Sequence, residues 1–569
     1  MERTVTEPFP NLFRERARAP CRTSRLVPSD RRTDRAARLP LRLRGVEAAR
    51  ICSSEDTARS PPAPGTRTRT PASEPRRRFA SRGPARSSLC RDPGATRGPR
   101  EGGTLADILP EHRATARPGD LRASATRPRV GVILAAGRSS RLAEVTGHGS
   151  KALLRVGGPS LIERAIRRLL AEGIEQVVVV VGYHAGPVAA VARRVAPGRV
   201  HTVFAERWEL GNGASLAAAE PAVAEEDLFL LVTADHVFSE GALEPLLTVG
   251  RPAVLVDHAP DAEAWAEGTR VRMREERAVA FSKELGDPAI DCGAFVLPRE
   301  VFDAHRRALA RGDASLAGAV TELARRIPLE AVELPPGAWW QDVDTPEDLR
   351  KVRRLLRRSL TKEADGPVSR YLNRPISSRI SMAVAHLPIH PDAVSILAFA
   401  VGLASAWALW RGSGIPGAVL ATLCSILDGV DGEIARLQVR TSPGGALLDG
   451  VLDRLADAAI LAGLAAWTIA EGTDPAATVG LAVAATTGSM LSMATKDRIA
   501  ALGIPPAPER WIGFLMGGRD ARLLEISVCA AIGRPVLGLA VVTATSFLSL
   551  AVRLLLTRST LRGAWPGPG

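Results

Sequence analysis

The stretch Asp428-Gly-Val-Asp431-Gly432-Glu-Ile-Ala435-Arg436, followed after eight residues by Gly445-Ala-Leu-Leu-Asp449-Gly-Val-Leu-Asp453, decides the fold. Its flanks, Ala418–Leu427 and Ala458–Ala470, are apolar enough for a membrane interior. Carboxylates at intramembrane depth are costly and by default mark a functional site. The spacing is i,i+3 for the first pair and i,i+4 for the second, so each pair falls on one helix face. Two such faces meeting form an oxygen-rich cage for a hard divalent cation such as Mg²⁺. Gly432 and Gly445 remove side-chain bulk where helices or a nucleotide approach closely. Aspartates solvated at loop mouths are the bland alternative, and they do not account for eight residue types in one register.

All eight positions match the signature of the CDP-alcohol phosphatidyltransferase family, which the segment Pro375–Arg558 resembles. The resemblance implies an all-α, six-helix membrane domain that displaces CMP from a CDP-alcohol with the hydroxyl of a second alcohol. By that likeness Asp428, Asp431, Asp449 and Asp453 hold two divalent ions, and Asp453 also takes the acceptor's proton. Gly432, Ala435, Arg436 and Gly445 line the CDP pocket. Metals neutralise a pyrophosphate during in-line displacement and a carboxylate activates a hydroxyl, so the residue types suit the chemistry.

Outward from the motif, six apolar runs read as spans: Ala393–Trp410, Ile415–Leu427, Ala456–Ala470, Ala476–Ala494, Leu523–Ile532 and Val536–Leu556. Several fall short of the ~20 residues of a simple span, as expected of helices that begin apolar and end at a polar site. Basic residues before the first span and at Lys496, Arg498, Arg519 and Arg522 place those ends on the cytoplasmic side of a cell membrane by the positive-inside rule. Arg374, Arg379, Lys496, Arg498, Arg519 and Arg522 are candidates to bind an acceptor phosphate, and topology explains them almost as well. Leu349–Leu360 is a basic amphipathic stretch running into a basic juxtamembrane linker, residues 351–374, and residues 559–569 form a short tail.

Upstream, residues 128–350 alternate strand and helix patterns. Arg129–Ala136 is a buried-strand run, Leu161–Glu172 an amphipathic helix, and Gln176–Gly182 and Leu228–Thr233 are further strands. Such alternation argues an open, Rossmann-like α/β sheet with ligands at the carboxyl ends of its strands. A strand running into Gly137 with Arg141 beyond it can cradle a triphosphate. With Lys151 and the Leu154–Ile162 segment, this resembles the sugar-phosphate nucleotidyltransferases; Ser139 and Ser150 depart from the usual Gly and Pro. The resemblance implies NTP contacts from Leu134, Ala135, Ala136, Gly137, Lys151, Gly211, Asn212 and Ser215. It implies phosphate neutralisation by Arg141 and Lys151, and at least one Mg²⁺ (or Mn²⁺) on Asp235 and Asp342, with Asp344 a weaker stand-in. His236 reads as a loop hydrogen bonder, Trp339 and Trp340 as packing residues, and Asp348 as a first-turn acid.

The formal charge of +14 is confined to residues 1–127, whose 28 arginines face 14 acids. This Arg/Pro-rich tail lacks apolar periodicity and reads as disordered. Three readings compete: an arginine surface for nucleic acid or anionic lipid, a targeting segment without a secretory apolar core, or upstream sequence translated from too early a start. Only five lysines in the chain mark arginine as a genomic habit, which favours the third and gives no reason to expect a nucleic-acid partner. Six scattered cysteines supply neither metal-ligand spacing nor a disulfide framework.

Joined in one chain, the modules make a relay. The fusion, with Asn373-Arg-Pro-Ile-Ser377 before the first span, resembles the bifunctional inositol-1-phosphate cytidylyltransferase/di-myo-inositol-phosphate-phosphate synthase family. The resemblance implies CTP and inositol-1-phosphate as substrates, CDP-inositol as intermediate, the bilayer as surroundings and a homodimer as assembly. A phospholipid or another polar phosphodiester is the alternative product, and a non-enzymatic membrane scaffold is disfavoured because no motif carboxylate is lost.

Overall fold

A computed structural model describes residues 127–138, 140–147, 149–362, 365–502 and 517–564. The expectations for the tail up to residue 126, for Ser139 and for residues 565–569 lie outside this set.

The strand runs form as their composition dictates. β1 (Val130–Ala135) is buried along its whole length, and β2 (Gln176–Val181) is a run of five valines behind one polar residue. They pair in parallel with each other, β1 also pairs with β4 (Leu228–Thr233), and β2 with β3 (Val200–Phe204). Strands buried on both faces read as continuous apolar runs. The remaining strands of the large sheet are β6 (Ala253–Asp257), β7 (Arg270–Arg274), β8 (Arg277–Ser282), β9 (Ile290–Pro298) and β10 (Leu329–Glu333). The order is β3-β2-β1-β4-β9-β6-β10-β8-β7, with β9 antiparallel to both neighbours, so the sheet is mixed. Separate apolar cores fill its two faces.

α1 (Leu161–Ala171) packs on one face. A complete capping box starts it: Glu163 N–H donates to Ser160 Oγ while Ser160 N–H donates to the Glu163 carboxylate. A two-stranded sheet of β5 (His236–Phe238) and β11 (Trp340–Asp342) lies apart from the large one and sets Asp342 opposite His236. α2 (Pro346–Arg358) follows at once, capped by Thr345 with Asp348 in the reciprocal position, as expected of that acid.

The second half is helical: α3 (Arg374–Val384), α4 (Pro391–Trp410), α5 (Gly414–Leu437), α6 (Pro443–Ala470), α7 (Pro475–Ala501), α8 (Arg519–Ala531) and α9 (Pro535–Ala564). Each apolar run expected to span falls in one of α4–α9, the fifth ending at Ile532, the residue just past α8. Among the described residues three helices are long and apolar enough to cross a membrane: Pro391–Trp410, Pro475–Ala501 and Pro535–Ser559. The other three carry the charged residues of the motif or, in α8, are short, which costs them the apolar length. Close helix contacts use small residues: a Cβ on Gly463 would sit 2.2 Å from the Ala406 carbonyl oxygen.

Candidate active sites

The soluble site lies at the carboxyl ends of β1 and β4, next to a cavity of about 730 Å³ lined by Asp235, His236, Asp257, Asp291, Trp340 and Asp342 among others. Register explains why: Leu134 stands opposite Thr233, so the turn after β1 and Asp235 emerge side by side. Strands departing to opposite sides of β1 open a crevice there, the usual ligand position in an α/β sheet.

Lys151 Nζ lies 2.7 Å from Asp235 and also pairs with Asp344. Burial opposes its charge, yet Asp235, Asp342 and Asp344 together raise its pKa well above the ordinary value. Arg141 joins Asp344 at 3.1 Å and Glu267 at 3.2 Å from an exposed position. The structure thus places Asp344 as counter-ion to both cations.

One oxygen each of Asp235 and Asp342 and a ring nitrogen of His236 lie within 4.8 Å of one another. His236 Nδ1 is 2.9 Å from Asp235 and 2.6 Å from Thr233 Oγ1, and its ring stacks on Trp340 at 5.4 Å. Burial opposes a charged His236, but Asp342 and Asp235 push its pKa up to about 9. Asp342 is pushed up to about 7 by burial and by Asp235, and its Oδ1 is buried without a hydrogen-bond partner. Two close carboxylates, one raised by its neighbour and keeping a buried oxygen unpartnered, are a donor set that suits a divalent cation.

Of the nucleotide-side residues, Leu134, Ala135 and Ala136 are buried in β1 and its exit, whereas Gly137 is exposed. Ala136 spends its carbonyl on Tyr183 N–H. Gly211 takes φ +111° just before a short helix, Asn212–Ala218, in which Ser215 is buried. Asn212 Oδ1 accepts from Leu316 N–H at 2.9 Å, so this side chain fastens its loop.

The membrane-domain site forms between α5 and α6. Asp428, Asp449 and Asp453 each bring one carboxylate oxygen within 4.8 Å of the others. Asp431 stands one turn along α5, buried, and accepts hydrogen bonds from Ser395 Oγ and Gly432 N–H. Gly445 N–H donates to Ser442 Oγ at 3.0 Å, the N-cap of the helix that carries Asp449 and Asp453. Arg436 Nη2 donates to the Leu360 carbonyl at 3.3 Å, and Ala435 lies half-buried beside it. A Cβ on Gly432 would meet only the Arg436 guanidinium, at 3.4 Å.

The candidate acceptor cations part company here. Arg519 reaches into the acidic cluster, 2.8 Å from Asp428 and 3.0 Å from both Asp453 and Asp457. Arg522 is buried, donates to Gly517 O, and lies 3.8 Å from Asp457. Arg374 is held in an ion pair with Asp365 at 2.9 Å and another with Glu433 at 2.9 Å, and Glu433 is wholly buried and accepts from Ser377 and Ser381. Arg379 is exposed and donates to Pro375 O at 2.7 Å, while Arg498 is exposed and Lys496 half-buried.

Three carboxylates at or beside these sites escaped the sequence reading. Asp457 continues the i,i+4 row of Asp449 and Asp453, a signal that was there to use. Asp291 is a charge in the otherwise apolar run of β9, where burial raises its pKa. Glu433 sits inside the motif but gives no sign of its partner.

These two sites define a nucleotidyltransferase joined to a CDP-alcohol phosphotransferase. Residues 131–364 match the MobA-like NTP transferase domain, and residues 388–518 match the CDP-alcohol phosphatidyltransferase family. The chain is 37% identical over 438 residues to the "Bifunctional IPC transferase and DIPP synthase" of Rubrobacter xylanophilus, covering 75% of this chain and 94% of that one. The protein of the same description from Aquifex aeolicus is 32% identical, over 71% of this chain and 92% of its own. The chain belongs to the bifunctional IPC transferase and DIPP synthase family. A solved structure described as the inositol-1-phosphate CTP transferase from T. maritima is 25% identical, with a TM-score of 0.38, covering 40% of this chain and 95% of that one.

Proposed function

We infer that this chain makes CDP-inositol and then spends it. In the first transfer a phosphate oxygen of inositol-1-phosphate bonds to the α-phosphorus of CTP, the bridge to the β-phosphorus breaks, and pyrophosphate leaves. In the second, a hydroxyl of another inositol-1-phosphate bonds to the inositol-bearing phosphorus of CDP-inositol. CMP leaves and di-myo-inositol phosphate phosphate forms. The observation that carries this reading is the 438-residue likeness to the Rubrobacter xylanophilus protein, which runs across both sites.

The chain's own residues supply positioning and charge. Lys151 and Arg141 exchange their carboxylate partners for the triphosphate, and Asp235 with Asp342 would hold Mg²⁺ or Mn²⁺. On the membrane side Asp428, Asp431, Asp449 and Asp453 would hold two such ions, with Gly432, Ala435, Arg436 and Gly445 around the CDP moiety. The ions supply neutralisation of the developing phosphate charge. Asp453 accepts the acceptor's hydroxyl proton. Arg519 and Arg522, with Lys496 and Arg498, supply cations for the acceptor's phosphate, whereas Arg374 is tied to Glu433 and organises the helix interior. The domain is multi-pass with α4–α9 as six spans, set in the cell membrane with both sites on the cytoplasmic side, and the chain works as a homodimer.

Membranes containing the protein, incubated with CTP, Mg²⁺ and inositol-1-phosphate, should yield pyrophosphate, CDP-inositol and a phosphodiester by phosphorus NMR. Formation of CDP-inositol with no water-soluble diester, while added lipid alcohols are consumed, would move the second site to the phospholipid alternative.

A further inference from the structure

We propose that the soluble domain is a working part of the membrane-domain site: Arg164, with Arg167, caps the carboxyl end of helix α5 and so positions the Asp428–Arg436 segment for the second transfer. This rests on the two-transfer reading above. It concerns positioning residues, for neither arginine reaches a reacting atom.

Arg164 lies in α1 of the soluble domain and is only 4% exposed. Among the described residues it has no carboxylate partner. Burial, reinforced by neighbouring Arg168 and Arg167, pushes its pKa down to about 9. A cation held there needs compensation, since an unpaired buried charge is strongly unfavourable. The compensation is carbonyl oxygen. Arg164 Nη2 donates to Val156 O at 2.6 Å within its own domain and to Leu437 O at 2.7 Å, 273 residues away at the end of α5. Arg167 Nη1 donates to the next carbonyl, Gln438 O, at 2.8 Å.

The last carbonyls of a helix lack intrahelical partners and carry the negative end of its dipole. Cationic donors at that end satisfy both conditions, and here another domain provides them. The surrounding contacts converge on the same spot. Gln438 Nε2 donates to Ala385 O and Leu387 O, and the Leu437 side chain shares a core with Val156, Leu356 and Ala385. Gly158, at φ +111°, packs so closely that a Cβ would sit 2.4 Å from Ala385 O. Arg436, one residue before the cap, is gripped by Leu360 O. The carboxyl turn of α5 is therefore clamped from the soluble side, with Arg436 inside the clamp and Asp431 little more than a turn away.

The test uses the full chain in membranes. Second-transfer kcat is measured with CDP-inositol and inositol-1-phosphate supplied, first-transfer kcat by pyrophosphate release, and amide exchange over residues 434–440 by mass spectrometry. Arg164→Leu should cut second-transfer kcat at least about tenfold, since small misplacement of reacting groups is costly, and leave the first within about threefold. Exchange should rise at least about tenfold as the last turn frays. Arg164→Lys, which keeps a cationic donor, should recover much of both. Unchanged second transfer and exchange would overturn the proposal, as would equal loss of both transfers with no recovery by lysine. If Arg164→Leu does not accumulate, the less buried Arg167→Met decides: about a threefold fall in the second transfer alone supports the cap, and no fall overturns it. A wild-type chain that forms no diester would instead sink the two-transfer reading, and exchange over 434–440 would still judge the cap.

Discussion

The two acidic sites of this chain gather carboxylates by opposite routes. In the membrane domain Asp428, Asp449 and Asp453 lie within 26 residues on two consecutive helices, and helical periodicity alone sets each pair on one face. In the soluble domain Asp235 and Asp342 stand 107 residues apart, brought together only when β5 and β11 pair. In each site a cation comes from another element: Lys151, in the turn before α1, joins His236 of β5 to balance the soluble cluster, and Arg519 of α8 balances the membrane cluster. Among packed helices the buried carboxylates depend on a paired cation, here Arg519, to offset their desolvation; the site at strand ends opens on a cavity with room for a large triphosphate.

The sharpest way to break this comparison is to remove one carboxylate from each site. Asp453→Ala should lower the second transfer by about 10²–10⁴-fold, the range for a lost general base, with CDP-inositol accumulating. Asp235→Ala should lower the first by about 10²–10³-fold, and diester should still form when CDP-inositol is supplied. Phosphorus NMR of the two reactions separates the outcomes. If either variant lost both transfers alike, the sites would not be independent in the way their separate scaffolds imply.

How much of this was legible depends on how local each contact is. The four membrane aspartates were readable because their spacing is their geometry. Asp235 was readable as a strand-end acid, but Asp342 reached its place only through resemblance, since no periodicity announces a pairing across a hundred residues. Charge alone put Arg374 and Arg519 in one group. The structure separates them, because their partners Glu433 and Asp457 sit on helices whose facing is set by packing. The six expected spans became six helices, three of them apolar enough to cross by length and composition. The rest carry a polar site, and hydropathy cannot distinguish that from a helix that never enters the membrane. Arg164 was simply one of the arginines of an amphipathic helix, for its acceptor at Leu437 belongs to another domain.

Deleting the balancing cation sharpens the contrast at a smaller scale. Arg519 is 8% exposed in its side chain and meets three carboxylates, so Arg519→Met leaves buried, unpaired charge and should cost about 3–5 kcal/mol. Lys151→Met should cost less, about 1–3 kcal/mol, because its side chain is 15% exposed and the crevice can admit water. Thermal unfolding in detergent without metal measures both. Millimolar Mg²⁺ should return part of the loss in each variant, since a bound cation replaces the missing charge. No recovery in either would argue that the carboxylates exist to balance the cation rather than to hold a metal.

The smallest expected effects come from the caps that aim the two ligand sets. Thr345 Oγ1 accepts from Asp348 N–H at 3.2 Å to start α2, three residues after Asp342. Ser442 Oγ accepts from Gly445 N–H to start α6, seven residues before Asp449. Loss of such a cap costs about 1 kcal/mol of local helix stability. Thr345→Ala should cost somewhat more than Ser442→Ala, because the reciprocal bonds of its capping box, in which Asp348 also holds the N–H groups of Asp344 and Thr345, fall with it. The activity cost should run the same way. Asp342 and Asp344 hang directly on that cap, so the first transfer should fall several-fold in Thr345→Ala. Asp449 lies nearly two turns inside α6, where packing against α4 takes over from the cap. The second transfer should therefore barely change in Ser442→Ala, and a larger loss there than in Thr345→Ala would show that the helical scaffold is not the more self-sufficient of the two.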